Sequence, residues 1–201
     1  MSSIIEKAIE IASYAHDGQY RKFGSKLPYI VHVARVAQDV QNSLLELKVP
    51  YDSESMKEMV AASWLHDTIE DYAIPNHLVS NYCDKIRNGC GNNVINLVME
   101  LTNPSKWLPE GTLREEKKRV DFEHIEKSSN ISKFIKMKDR KDNLKDCRHK
   151  DVPKKWLVKY LPESVQLLKK VANEDCQDFK EALLIIEEIK FMHNLVEGDF
   201  K

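Results

Sequence analysis

The stretch AASWLHDTIED, residues 61–71, leads an apolar helical run directly into a cluster of polar side chains that can bind protons or metals. If the helix continues through the cluster, His66 and Glu70 lie four residues apart, as do Asp67 and Asp71, and all four crowd one edge. Three carboxylates at such short distances repel one another unless a cation compensates their charge. The alternative is a solvated helix end, but the apolar run argues against it.

His32 is the second polar residue in an apolar setting. It shares one face of a predicted helix with Val36 and Val40, because the three residues are spaced four apart. The alternatives are an ordinary buried histidine with a hydrogen bond and a metal ligand. Taken alone, the pattern favours the ordinary buried histidine.

Asp139 is the third. Ile131, Ile135, Asp139 and Asn143 recur every four residues, so the carboxylate continues a stripe that we expect to be buried. A buried carboxylate needs a partner or a metal ion. The alternative to a metal is an ion pair with Arg140 or with a nearby lysine.

Considered together, these features predict one metal site. His32, His66, Asp67 and Asp139 lie on three predicted helices, and packed helices can bring distant residues to one point. Mixed imidazole and carboxylate ligands suit a divalent ion such as Mn, Fe or Zn. One shared site explains all three features at once, whereas the alternatives need a separate explanation for each.

The rest of the sequence favours an all-α fold. Glycine and proline number only six and seven, helical periodicity is common, and strand alternation is nearly absent. Pro75 is predicted to open a short helix, and Pro153 and Pro162 to bracket another. The C-terminal helix is predicted to be amphipathic, with apolar positions at Phe179, Leu183, Ile186, Ile189 and Phe191. The other predicted elements are a loop at residues 18–28 and helices at about 3–17, 29–48, 54–66, 92–101, 112–127, 130–146 and 175–196.

Composition limits the possible partners and compartment. The 201 residues suit a single domain, and 42% hydrophobic residues suffice for a core. The 31 basic and 32 acidic side chains nearly cancel, so we expect no nucleic-acid partner and expect a local basic cluster to hold any phosphorylated ligand. We find no signal peptide and no apolar run long enough to span a membrane. The four cysteines include no CxxC pair, which agrees with a cytoplasmic protein.

Three segments resemble a known family closely. They are AHDGQYRKFGSKLPYIVHVARVA (15–37), AASWLHDTIED (61–71) and IKMKDRKDNLKD (135–146). In order and spacing they are similar to the hydrolase domain of RelA/SpoT-type alarmone enzymes, members of the HD superfamily. The resemblance extends from about residue 4 to about residue 172. With 201 residues and no synthetase half, the chain is similar to the stand-alone small alarmone hydrolases.

The resemblance implies an activity and a set of site residues. It implies hydrolysis of guanosine 3′-diphosphate 5′-di(tri)phosphate with release of the 3′-pyrophosphate, using one divalent ion, Mn²⁺ in the family. Residues 1–175 would form the hydrolase domain, and a C-terminal helix at 176–201 would pack on it or join subunits of a homo-oligomer. The implied roles are metal ligation by His32, His66, Asp67 and Asp139, catalysis by Glu70 and Asp71, and substrate binding by Arg21, Lys22, Asn143 and Tyr160.

Several positions depart from the family pattern. Val33 replaces a proline, Lys138 replaces a small residue, and Lys141 and Asp142 replace an apolar residue and a histidine. None of these changes removes an implied ligand, but they leave the substrate open. Adenosine analogues of the alarmone or NADPH could use the same metal site. A nucleotide-binding module without activity is a further alternative, which the loss of a ligand or of Glu70 or Asp71 would favour.

Two other features were interpreted as structural. His16 is expected to fix the turn into the loop that follows it. The alternatives for the run Lys117-Lys118-Arg119 are phosphate binding and a solvated helix face, and the solvated face is favoured.

Overall fold

The structure is a computed structural model that describes residues 3–23 and 26–200. Within these ranges it contains a π-helical turn at Ile69–Ala73, 3₁₀ turns at Pro104–Trp107 and Glu197–Phe200, and an isolated β-bridge between Tyr20 and Pro28. The described chain otherwise consists of turns and nine α-helices: α1 (Ile4–Ala15), α2 (Tyr29–Glu46), α3 (Glu54–Leu65), α4 (Val79–Cys90), α5 (Asn92–Leu101), α6 (Arg114–Lys127), α7 (Asn130–Asp146), α8 (Lys154–Val171) and α9 (Gln177–Met192). This architecture confirms the all-α prediction. The predicted loop at 18–28 includes residues 24 and 25, which lie outside the described residues.

Three of the helices have a serine as their N-cap residue. Before α1, the Ser3 hydroxyl accepts a hydrogen bond from the Glu6 N–H at 3.2 Å, and the Glu6 carboxylate accepts one from the Ser3 N–H at 2.7 Å. Ser53 and Ser129 cap α3 and α7 in the same way, through their side chains. Each cap satisfies a backbone N–H that has no partner inside the helix, which contributes about 1 kcal/mol. These helix starts therefore follow from local sequence.

Two apolar cores hold the helices together. The first is built mainly by α1 to α5 and the second by α6 to α9. Helix α7 contributes to both, because Ile135 packs in the first core while Met137 and Leu144 pack in the second. Asp139 lies between these residues on α7. A polar site around Asp139 therefore lies at the junction of the two halves.

The prediction that Pro75 opens a helix is wrong. Pro75 lies in a turn that follows the π-helical segment, and α4 begins only at Val79. The Leu78 N–H donates to the Ala73 carbonyl at 2.8 Å, and His77 takes a left-handed conformation with φ of 56°. This left-handed residue reverses the chain, so a new helix cannot start until the turn is complete.

The prediction that Pro162 ends a short helix is also wrong, because α8 runs through it from Lys154 to Val171. A proline inside a helix costs about 3 kcal/mol through its missing N–H and its steric clash. Leu157, Leu161 and Leu168 are buried on both sides of Pro162. Burial of each leucine contributes roughly 1.5–3 kcal/mol, so packing against the second core outweighs the cost.

Helix α9 packs on α7 and α8 through part of the predicted apolar face. Phe179, Ile186 and Ile189 are buried in the second core and Leu183 is partly buried. Phe191 is 85% exposed, so its assignment to that face is wrong. It follows Ile189 by two residues, about 200° around a helix with 3.6 residues per turn, and thus points to the opposite side. The division of the chain at residues 175 and 176 stays a prediction.

No helix in the described part of the chain combines the length and the apolar composition that crossing a membrane requires.

Candidate active site

Four side chains converge where α2, α3 and α7 meet. His32 lies in the first turn of α2, His66 and Asp67 directly follow α3, and Asp139 lies in the middle of α7. Each offers one nitrogen or oxygen atom, and these four atoms all lie within 4.8 Å of one another. All four residues are buried. The structure therefore brings together the four residues that the sequence predicted as metal ligands.

Hydrogen bonds on the far side of each imidazole fix its orientation. The Nδ1–H of His66 donates to the Ser63 carbonyl at 2.8 Å, and the Nδ1–H of His32 donates to the Asp142 carboxylate at 2.7 Å. Both acceptors can only accept, so Nδ1 carries the proton in each ring. Each Nε2 consequently faces the cluster.

The two Nε2 atoms lie against the two carboxylates. The distances from His66 to Asp67 and from His32 to Asp139 are 3.0 Å and 3.3 Å. Both Nε2 atoms are buried, and neither has an aligned hydrogen-bond partner among the described residues. Two unpartnered imidazole nitrogens facing two carboxylate oxygens form a donor set that fits a divalent cation.

The electrostatics of the cluster agree with this fit. Burial opposes ionisation of Asp67, but His66 and His32 outweigh it and hold its pKa well below the usual range. Burial also lowers the pKa of His32, yet the nearby carboxylates of Asp139, Asp142 and Asp67 raise it to about 9. Protons on the imidazoles therefore compensate the carboxylates when no cation is bound. A divalent cation replaces these protons, so its binding weakens in acid.

Asp139 contacts both a lysine and the two histidines of the cluster. The Lys136 ammonium lies 3.1 Å from one of its oxygens, and the other oxygen faces the histidines and accepts from the Asn143 amide. Burial opposes ionisation of Asp139, but Lys136 and the two histidines hold its pKa well below the usual range. The lysine pair considered as an alternative thus exists beside the histidine cluster rather than in place of it.

Glu70 and Asp71 follow the cluster, but not on a regular helix. Helix α3 ends at Leu65, and the acidic pair lies in the π-helical turn Ile69–Ala73, so the continuous helix considered from the sequence does not form. The Asp71 N–H still donates to the Asp67 carbonyl at 2.8 Å. A π-turn has more residues per turn than an α-helix, which changes the direction of the side chains. Both carboxylates consequently line the same cavity as Asp67 and Asp139.

Three groups hold the acidic pair in place. The Asn103 N–H donates to Glu70 at 3.1 Å, and the Lys106 ammonium lies 3.2 Å from Glu70 and 3.4 Å from Asp71. The Tyr29 hydroxyl lies 2.8 Å from Asp67 and 2.9 Å from Asp71. Burial, Asp67 and Glu70 raise the pKa of Asp71, and Lys106 opposes them. A carboxylate with a raised pKa beside a metal site is suited to accept a proton.

The cluster and the acidic pair open into a cavity of about 580 Å³. Its volume falls within the usual range for small-molecule sites, roughly 300–1,000 Å³. All four residues predicted to bind substrate line it: Arg21, Lys22, Asn143 and Tyr160. Tyr160 stacks on Trp156 with ring centres 4.1 Å apart. The Arg140 guanidinium lies 4.8 Å from the centre of the Tyr160 ring.

Arg21 is held by α7 rather than by its own loop. Its Nε donates to Asp146 at 2.8 Å, and its Nη2 donates to Oδ1, the side-chain amide oxygen of Asn143. The guanidinium also lies 5.1 Å from the centre of the Tyr29 ring. Asn143 donates in turn to Asp139, so a single amide joins the loop to the candidate metal site. His16 fixes the turn as expected, since its Nδ1 pairs with the Gln19 side chain at 2.9 Å.

Sequence reasoning missed several residues that line the cavity. They are Tyr29, Lys106, Lys118, Lys136, Arg140 and Trp156. Tyr29 could have been found, because it precedes His32 by three residues and shares its helix face. Lys118 belongs to a run interpreted as a solvated face, and Arg119 does pair there with Glu116 and Glu123. The tertiary structure places Lys118 at the cavity, although its neighbour Arg119 lies on the solvated face.

Comparison with known proteins gives the same picture. No family model matches the chain. A solved structure, described as a metazoan ortholog of SpoT that hydrolyzes ppGpp and plays a role in starvation responses, aligns with 98% of this chain and 98% of its own, with a TM-score of 0.70 and 23% identity. That alignment confirms the fold.

Two curated relatives carry the same name, guanosine-3′,5′-bis(diphosphate) 3′-pyrophosphohydrolase MESH1. The protein from Xenopus tropicalis is 28% identical over 172 residues, which is 86% of this chain and 84% of the relative. The protein from Drosophila melanogaster is 28% identical over 167 residues, 83% of this chain and 82% of the relative. These relatives support the resemblance of the chain to the RelA/SpoT-type HD hydrolases. In this chain the resembling segments bring the two aspartates of the buried cluster, the acidic pair and the Arg21 loop to one cavity.

Proposed function

We propose that this HD hydrolase cleaves guanosine 3′-diphosphate 5′-di(tri)phosphate and releases the 3′-pyrophosphate, with one divalent ion, Mn²⁺ or alternatively Fe or Zn. The observation that carries the proposal is the four-residue cluster, which opens with the acidic pair into a single cavity. The activity in the name of the MESH1 relatives, which align over more than four-fifths of their length, supports the choice of substrate. The substrate is thus a small nucleotide, and the proposed compartment is the cytoplasm.

His32, His66, Asp67 and Asp139 would hold the ion. When bound, a divalent ion of this kind lowers the pKa of its water and polarises a phosphoryl oxygen. The protein's own contribution is to present two neutral imidazoles and two carboxylates in fixed directions. Hydrogen bonds from the rear of each ring to Ser63 and Asp142 do this work for the histidines.

Glu70 and Asp71 would take the proton of the attacking water and orient it. Neither residue needs to leave its position, because Asn103, Lys106 and Tyr29 already hold the two carboxylates at the cavity wall. Proton transfer by such a positioned carboxylate contributes typically 10²–10⁴-fold to the rate. We propose the two residues as a pair, without separate roles.

Cationic side chains of the cavity would hold the phosphates. The cavity is lined by six cationic side chains: Arg21, Lys22, Lys106, Lys118, Lys136 and Arg140. Lys118 is only weakly compensated, since burial and the nearby Arg140 lower its pKa and Asp121 lies 4.0 Å away, bonded to Ser105. A cation in this state gains from an anionic ligand. Tyr160 and Asn143 would contact the nucleoside part of the substrate.

A substrate panel tests the proposal. The purified protein is incubated with Mn²⁺ and, separately, with the guanosine alarmone, its adenosine analogue and NADPH, and the products are identified by chromatography. We expect pyrophosphate from the guanosine alarmone. Turnover of only the adenosine analogue or NADPH would replace the substrate and keep the chemistry. Nucleotide binding without any turnover would favour a module without activity. The Asp67→Ala variant is purified in the same way. It serves as the control for contaminating phosphatases.

A further inference from the structure

Asp142 is a buried carboxylate directly behind the candidate metal site. It lies on α7, one turn from the end of the helix, and its side chain is only 4% exposed. Its Oδ2 accepts from the His32 Nδ1–H at 2.7 Å, across 110 residues of sequence. This position is one of those that depart from the RelA/SpoT pattern, where a histidine is usual.

Arg35 fixes the direction of that carboxylate. Its Nη2 donates to Asp142 at 2.9 Å and its Nε lies 3.2 Å from the same oxygen. The same Nη2 also donates to Asp146 at 3.0 Å, and Asp146 in turn accepts from Arg21. Asp142 therefore has a second anchor besides His32, because Arg35 donates to the same carboxylate oxygen.

Physical chemistry gives this arrangement a specific consequence. A carboxylate that accepts from Nδ1–H keeps the proton on that nitrogen, so the Nε2 lone pair is free to bind a metal. The negative charge also makes Nε2 more basic and thus a stronger ligand for a metal ion. His66 has only a neutral carbonyl behind it, that of Ser63. The two histidines of the cluster are thus supported unequally.

We propose that Asp142 is a positioning residue that orients His32 and strengthens its bond to the metal ion. The inference rests on the proposed metal site and adds a residue outside the four ligands. It also assigns a role to a residue that the family pattern would have marked as a harmless departure. Loss of such a hydrogen bond typically weakens metal binding 10–100-fold.

Metal binding by the purified protein tests the proposal without any substrate. Mn²⁺ affinity is measured by calorimetry for the wild type, Asp142→Asn and Asp142→Ala. We expect the affinity to fall about tenfold in Asp142→Asn, which keeps an uncharged acceptor, and up to about 100-fold in Asp142→Ala. Asp39→Asn is the matched control: Asp39 also joins α2 to α7, through Lys138 and Lys141, and has no bond to His32. Its affinity should equal that of the wild type.

A spectroscopic measurement separates positioning from a loss of folding. In the Zn²⁺-loaded protein, the ¹⁵N shifts of the His32 ring should report a protonated Nδ1 in the wild type and a changed pattern in Asp142→Ala. The His66 shifts should stay the same in both proteins. Unchanged Mn²⁺ affinity in Asp142→Ala would overturn the proposal, as would an equal loss in Asp39→Asn. If the wild type itself binds no metal, the proposed metal site fails first and the role of Asp142 falls with it.

Discussion

The candidate metal cluster and the acidic pair are close neighbours, but they are supported in different ways. The side chains of His32, His66, Asp67 and Asp139 are at most 11% exposed, and each residue lies on or next to a long helix packed in the cores. The Glu70 and Asp71 side chains are 12% and 31% exposed and lie in a five-residue π-turn. The cluster is fixed by long helices packed in the cores, whereas the acidic pair is fixed by a few polar contacts at a cavity wall. Metal binding and proton transfer should therefore be separable by mutation.

The largest expected effect comes from breaking the cluster. In Asp67→Ala the two imidazoles lose a carboxylate partner and the ion loses a ligand, so we expect no measurable Mn²⁺ binding. Turnover should fall at least about 10³-fold, because a metal-activated water contributes several kcal/mol. Calorimetry and a product assay measure the two quantities. Asp84→Ala, which removes an exposed carboxylate on α4, is the matched control. Metal binding by the Asp67 variant at wild-type affinity would exclude Asp67 as a ligand.

An intermediate effect is expected from the acidic pair. Glu70→Gln keeps the size of the side chain and can still accept from the Asn103 N–H, but it can no longer take a proton at neutral pH. We expect turnover to fall about 10²–10⁴-fold while Mn²⁺ affinity stays within about twofold. This contrast with Asp67→Ala is the sharpest test of the comparison. Wild-type turnover in Glu70→Gln would refute its catalytic role, and a joint loss of metal would show that the two regions are not separable.

The smallest effect is expected from the cation that faces the pair. Lys106 opposes the rise in the pKa of Asp71, so Lys106→Met should raise that pKa further. A base must be unprotonated to act, and the acid limb of the profile of kcat against pH should therefore move to higher pH. Well above that limb, turnover should change only severalfold. Lys190→Met, which removes a partly exposed lysine on α9, should leave the limb in place. A shift to lower pH in the Lys106 variant would contradict the assignment.

Much of the candidate site could be predicted from residue spacing. His32 shares a buried face with Val36, as the four-residue spacing indicated, and Asp139 continues the stripe begun by Ile135. Both positions follow from helical geometry, which depends on neighbours in the sequence. The local conformation after His66 could not be predicted in this way. Residues 66–71 fit an α-helix by composition, and it is the tertiary contacts of Asn103 and Lys106 that accompany the π-turn instead.

The sequence by itself determined most of the helices, their serine caps and the types of side chain available for the chemistry. Only the tertiary structure decided which of those side chains meet. The Asp142–His32 bond joins residues 110 apart, and the Arg21–Asp146 pair joins residues 125 apart. Spacing along a helix specifies neighbours within a few turns, whereas these partners are chosen by how α7 packs between the two cores. That packing gives Asp142 its place behind His32, and thus a role that its position in the sequence did not suggest.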